Sequence, residues 1–156
     1  MPFAAALSEH PVTAYAVGEV CGEVLERIGT NPDVVVVFST LAHAGALEDT
    51  MATVGALLGP SVAVGAASHA IIGPGREVED GPAISVWAGR FGPVLPVRLP
   101  AGATNPDELK SHGFDPSAMV LVGDPFSFPA DAFLEQLAGD HPGLPVVGGL
   151  ASGARG

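Results

Sequence analysis

The chain has 156 residues, 47% of them apolar and 15% charged. That balance excludes intrinsic disorder and supplies enough apolar surface for one sizeable domain. Its formal net charge is −11, with one lysine (Lys110) and five arginines, so it offers no clustered cations to nucleic acid or to an anionic membrane surface.

The single cysteine, Cys21, cannot close an intramolecular disulfide and fits a reducing compartment. The opening "MPFAAALSEHP" lacks the basic region of a signal peptide. No apolar run reaches the roughly 20 residues of a membrane-spanning helix. The expectation is a soluble cytoplasmic protein.

In chain order, "FAAALS" (Phe3–Ser8) reads as a first or edge strand, closed by His10-Pro11. From Thr13 to Ile28 the apolar residues Val17, Val20, Cys21, Val24, Leu25 and Ile28 recur at three- and four-residue intervals. This spacing predicts a helix with one buried stripe, Cys21 in it, and Glu19, Glu23 and Glu26 outside. "VVVVFS" (Val34–Ser39) is an unbroken β-branched run, the pattern of a strand covered on both faces in a parallel sheet. A helix through Leu47, Met51, Val54 and Leu58 follows, then a strand in "SVAVGAAS" (Ser61–Ser68). Strand, helix and strand at this spacing form a βαβ unit.

A second unit of this kind follows further on. "SAMVLVGD" (Ser117–Asp124) reads as a strand, and Phe133, Leu134, Leu137 and Ala138 mark one face of a helix. "LPVVGGLAS" (Leu144–Ser152) is a closing strand whose apolar pattern, glycine and terminal serine match "PSVAVGAAS". In "DPFSF", Ser127 is placed to cap the helix, with Pro129 and Asp131 in its first turn. Between the units, "PAISVWAGRF" and "PVLPVRLP" alternate around Gly92-Pro93 and read as an antiparallel hairpin. Trp87 falls mid-strand there as core or interface. Pro100–Pro116 reads as loop with one helical turn at Asp107–His112. The expected fold is α/β: a mixed β-sheet with flanking helices, two related strand–helix–strand units and a hairpin.

"IIGPGREVEDGPAISVWAG" (Ile71–Gly89) invites a phosphate-loop reading and fails it. Pro74 removes an N–H, no lysine follows, a strand comes next, and Glu77, Glu79 and Asp80 repel phosphate. A dinucleotide G-x-G-x-x-G is broken by Val78 in the sixth place. Glu77, Glu79 and a nearby His69 are too few to specify a metal. The stretch therefore reads as a glycine turn entering a strand, with Arg76 paired to the neighbouring acids.

No catalytic constellation, metal set or cofactor motif emerges from the rest. Ser68 and His69 are adjacent and would point to opposite faces. "GAASHA" and "GGLASG" place serine one position too late for a nucleophile elbow. The histidines His10, His43, His69, His112 and His141 lack metal-ligand spacing. Of these, His43 and His69 follow strand ends, where open α/β sheets bind ligands.

Several stretches in order, "AALS", "PDVVVVFST" with His43 after it, "VGAASHAIIGPGREVEDGPAISVWAG", "VGDPFSF" and "VVGGLASGA", resemble the N-terminal domain of the FIST family (F-box and intracellular signal-transduction proteins). The resemblance spans nearly the whole chain, so residues 1–156 are read as one such domain. It implies a sensory, non-enzymatic module that binds small ligands such as amino acids, normally followed by a C-terminal companion domain. The expected ligand-binding residues, at strand ends and the glycine turn, are Ser39, His43, Ser68, His69, Arg76, Glu77, Glu79, Gly148 and Gly149. The second unit lacks a hairpin like the first, so a fragment missing its last strands and companion domain is expected, with an exposed sheet edge that favours a homodimer. Two alternatives stand beside this: a hydrolase using Ser68 or Ser152 with a histidine, and a scaffold acting through protein contacts.

Overall fold

In the computed structural model, which describes residues 2–104, 113 and 115–153, the chain divides into two units, Met1–Val94 and Leu95–Gly156. The first unit runs β1 (Phe3–Ser8), α1 (Thr13–Ile28), β2 (Val34–Thr40), a short 3-10 turn (Ala44–Ala46), α2 (Leu47–Leu58), β3 (Val62–Ser68), β4 (Ile71–Gly73), β5 (Arg76–Val78) and β6 (Ile84–Gly89). Its main sheet has the order β1-β6-β2-β3. β2 and β3 are parallel, and β6 is antiparallel to both β1 and β2. Hence β1, β2 and β3 point the same way and end at one edge.

The register explains the core. Ala4, Ala88 and Val35 form one row, Ala6, Val86 and Val37 the next, and Ser8, Ile84 and Ser39 the last. All nine are buried, beneath Ala16, Val17, Val20, Cys21 and Val24 of α1 and Val54 and Leu58 of α2. The alanines let α1 sit close to the sheet, and each buried valine contributes roughly 1.5–3 kcal/mol. Cys21 is part of this stripe, and burial pushes its thiol up to about 11. Gly29 ends α1, and the Arg90 guanidinium donates to the carbonyls of Ile28, Thr30 and Asn31 just past its end.

The expected hairpin around Gly92-Pro93 does not form. "ISVWAG" is a strand, but its partners are β1 and β2, and 90–104 carries no strand. Pro93, Pro96 and Pro100 remove ladder donors from the second run, while β6 finds two complete partners inside the sheet. Trp87 points to the face away from the helices, 37% exposed, stacked at 5.8 Å on Phe3 and 5.5 Å from Phe91.

The hairpin is instead β4–β5, turned by Pro74-Gly75 with Gly75 at φ 76°. Its Ile71 and Val78 pack with Ala83 and Leu7. The glycine-turn reading therefore holds, with one correction. Arg76 pairs with Glu9, at 2.9 Å, rather than with the adjacent acids, because Glu77 and Arg76 alternate across a strand.

In the second unit, β7 (Met119–Gly123) and β8 (Val146–Leu150) pair in parallel around α3 (Ala130–Asp140), whose Phe133 and Leu137 are buried. This is the repeat of β2–α2–β3. Leu134 is 40% exposed, outside the buried stripe. Ser127 does not cap α3: its hydroxyl and the Phe126 N–H both donate to the Asp124 carboxylate, at 2.9 Å each. This side chain, three residues before the helix start, is committed to a local Asx turn. The predicted turn at Asp107–His112 lies outside the described residues.

Candidate functional site

The shared edge where β1, β2 and β3 end gathers buried polar side chains of the first unit. Ser8 pairs with Ile84, Ser39 with the same Ile84, and Thr40 with Ser68. Each parallel strand thus finishes an apolar run with hydroxyl residues, and the loops that follow carry His10, His43 and His69. These loops are short, so α1 and α2 both begin at this edge.

Several of these groups are fully committed. The Ser8 hydroxyl donates to the Glu19 carboxylate and accepts from the His10 N–H. Thr40 Oγ1 accepts from the Ala83 N–H at 2.9 Å, which ties β2 to the start of β6. His10 Nδ1 accepts from the Val12 N–H at 3.0 Å, and its ring lies 5.0 Å from that of Tyr15.

Three are not. Ser39 is fully buried, His43 and Thr50 are each 2% exposed, and Ser39 Oγ, His43 Nε2 and Thr50 Oγ1 make no hydrogen bond. Such atoms cost about 1–3 kcal/mol apiece, and native folds tolerate few of them. They sit at the end of β2, in the turn after it, and in the first turn of α2. The His43 ring is held by Nδ1, 2.9 Å from Thr13 Oγ1 at the start of α1. Burial lowers the pKa of His43; the nearby His10 carbonyl opposes this and the His10 imidazole adds to it. At neutral pH the ring is therefore uncharged and offers Nε2 as a neutral donor or acceptor.

Of the nine residues expected at the site, the fold brings Ser39, His43 and Ser68 to this edge. Ser68 is half-buried and His69, next to it, is exposed. Arg76 and Glu77 lie exposed on the hairpin strand β5, and Glu79 just past it. The Arg76–Glu9 pair ties that hairpin to the segment following β1. Gly148 and Gly149 belong to β8 of the second unit. Gly148 has a structural reason for being glycine: φ is 146° and a Cβ would stand 1.8 Å from the Leu121 carbonyl oxygen. The second unit also has an open depression of about 580 Å³ lined by Thr104, Ala132, Glu135 and Gln136, none of them a sequence candidate.

Sequence reasoning missed Ser8, Thr13, Thr40 and Thr50. Thr50 had a signal, since it lies on the Val54–Leu58 stripe of α2 where an apolar residue is the rule. Ser8 had one too: "AALS" ends in serine as "VVFS", "GAAS" and "GLAS" do. Among the described residues no group of three His, Cys, Asp or Glu side chains could hold a metal ion. Among the described residues no helix is long and apolar enough to cross a membrane.

The first unit is thus a mixed α/β sheet whose parallel strands end in buried, partly unpartnered polar groups, beneath the starts of two helices. The chain matches the FIST N domain over residues 33–156 and belongs to that family, which is associated with sensory domains of signal transduction. It is 30% identical over 154 residues to the uncharacterized protein Rv0628c of Mycobacterium tuberculosis, covering 96% of this chain and 40% of that protein. It is equally similar to the uncharacterized protein Mb0898c of Mycobacterium bovis, covering 93% of this chain and 39% of the relative. The chain thus spans about two-fifths of the length of these relatives.

Proposed function

We propose that the domain is a non-catalytic, intracellular sensor that binds a small polar metabolite, an amino acid or a related compound, at the shared end of β1, β2 and β3. One observation carries this reading: Ser39 Oγ, His43 Nε2 and Thr50 Oγ1 are buried without partners at that end. A fold that leaves three polar atoms unsatisfied there gives up stability that a ligand can restore. The His43 ring, pinned by Thr13 and kept neutral, is suited to recognition more than to proton transfer; its bonded neighbour is a threonine, not a serine nucleophile. Reduced Cys21, buried in α1, is consistent with an intracellular setting.

The test is a thermal-shift screen of the protein against the common amino acids and their derivatives at millimolar concentration. A ligand present at 100 times its Kd stabilises by about 2.7 kcal/mol, a readily measured shift. If no compound moves the transition, the reading fails.

A protein-contact role is supported by a separate observation. The sheet face opposite α1 and α2 carries Phe3, Phe38 and Trp87, with Phe91 beside them, all at least 37% exposed. On this second reading the face meets another protein surface, a second copy included. Light scattering on a column eluate, compared with that of Trp87→Lys, tests it. A monomer at all concentrations for both proteins rejects self-association.

A further inference from the structure

The chemistry of the unpartnered set specifies what can reach it. The buried polar side chains of the described chain are Ser8, Ser39, Thr40, His43, Thr50 and Ser85. None is an aspartate, glutamate, lysine or arginine. The charges near this end, Glu9, Glu19, Glu48, Asp49 and Arg76, are all exposed and hydrated. A ligand group that enters beside Ser39, His43 and Thr50 therefore meets two hydroxyls and one imidazole nitrogen, with no buried counter-charge.

Burying an unpaired carboxylate or ammonium costs far more than hydroxyls return. An uncharged group that both donates and accepts suffers no such penalty and suits atoms of this kind, because each hydroxyl does both and Nε2 does one.

The β2–α2 connection covers these atoms with little buried side-chain packing of its own. Leu41 and Ala42 are exposed, and Ala44–Ala46 is a single 3-10 turn with no buried residue. Backbone bonds within this connection are local, His43 N–H to Thr40 and Ala46 N–H to His43. Apart from the His43–Thr13 contact, small side chains and local backbone bonds leave this connection lightly tied, so it is where a ligand would enter.

We infer that the site selects ligands by an uncharged hydrogen-bonding head, of which a carboxamide is the best fit, and rejects the isosteric carboxylate. The inference rests on the proposed ligand site and goes beyond it in naming the group that is buried. Any charged end of the ligand stays at the rim, in water.

Matched pairs test it: glutamine against glutamate and asparagine against aspartate, titrated into the protein by calorimetry at neutral pH. The expected result is that at least one amide binds at least tenfold tighter than its acid. Ser39→Ala should then cost that amide at least tenfold in affinity while the variant stays folded. Thr50→Val gives the same readout should Ser39→Ala change the fold. If the acids bind as tightly as the amides, the inference is overturned and the ligand site itself stands. If an amide is preferred and neither variant weakens it, the selecting atoms are elsewhere and the inference is likewise overturned. If neither member of either pair binds, the inference fails, and the wider screen described above then decides whether the ligand site fails with it.

Discussion

Two serines in one row of the sheet should respond to truncation in opposite ways. Ser8 and Ser39 both pair with Ile84 and are both buried, facing the helices. The Ser8 hydroxyl has an acceptor in Glu19 and a donor in the His10 N–H, whereas Ser39 Oγ has neither. For Ser39→Ala, deleting an unpartnered buried hydroxyl recovers about 1–3 kcal/mol. Against this stands the lost dispersion of one oxygen, a handful of contacts at roughly 0.1–0.2 kcal/mol each. The net is a gain of about 0.5–2 kcal/mol.

With an unfolding entropy near 2.1 cal/mol/K per residue, a chain of 156 residues gains about 3 °C per kcal/mol. Ser39→Ala should thus melt about 1.5–6 °C higher than the parent protein. Ser8→Ala loses a bond to a carboxylate, discounted because Glu19 is exposed, and should lose about 1 kcal/mol. Calorimetry and urea unfolding of both variants are the assays. If Ser39→Ala is destabilised by 1 kcal/mol or more, its hydroxyl is satisfied in the folded protein and the reasoning about the site collapses.

Three further outcomes follow from the same structure. Thr40→Val keeps the shape of the side chain but strips the buried Ala83 N–H of its acceptor, so about 1–3 kcal/mol of stability should be lost; a change within 0.5 kcal/mol in urea unfolding would contradict this. Because the His43 pKa is lowered from 6.5 in the fold, the unfolded chain takes up that proton first as pH falls. Stability present above about pH 6.5 should therefore decline as pH drops toward the folded pKa, and His43→Gln should flatten that part of the profile. Gly148→Ala should disrupt the β7–β8 pair, since the added Cβ meets a backbone carbonyl and the φ of 146° is open only to glycine. Amide exchange of Val120 and Val122 should then accelerate by an order of magnitude or more while Val35 and Val37 keep their protection.

The elements of the first unit were legible because local pattern and tertiary burial agree there. Val17, Val20, Cys21 and Val24 form a helical stripe in sequence and a buried stripe in the fold. "VVVVFS" does become a central strand, but it is parallel only to β3, antiparallel to β6, and covered by helices on one face alone, with Phe38 exposed on the other. The partner of β6 was not legible. Pairing with β1 joins residues about 80 positions apart, and alternation around Gly92-Pro93 suggested a nearer partner that the prolines forbid.

The site was half legible. Ser39 and His43 stand out by their position at and after a strand end, while Gly148 reads as the break at a strand end yet lies inside β8, and its packing against Leu121 cannot be read from a single strand. Thr50 carried a signal in its place on the Val54–Leu58 stripe, but that position shows burial only; its lack of a partner emerges from the packing around it.

The most direct measurement is the ¹⁵N and ¹³C resonance of the His43 ring, followed by NMR while a ligand found by thermal shift is titrated. A ligand seated at the ends of β1, β2 and β3 should move Nε2 strongly and shift the amides of Ser39, His43 and Thr50, leaving the β8 amides in place. Binding that perturbs β7, α3 or β8 and leaves the His43 ring unchanged would contradict the assignment of the site.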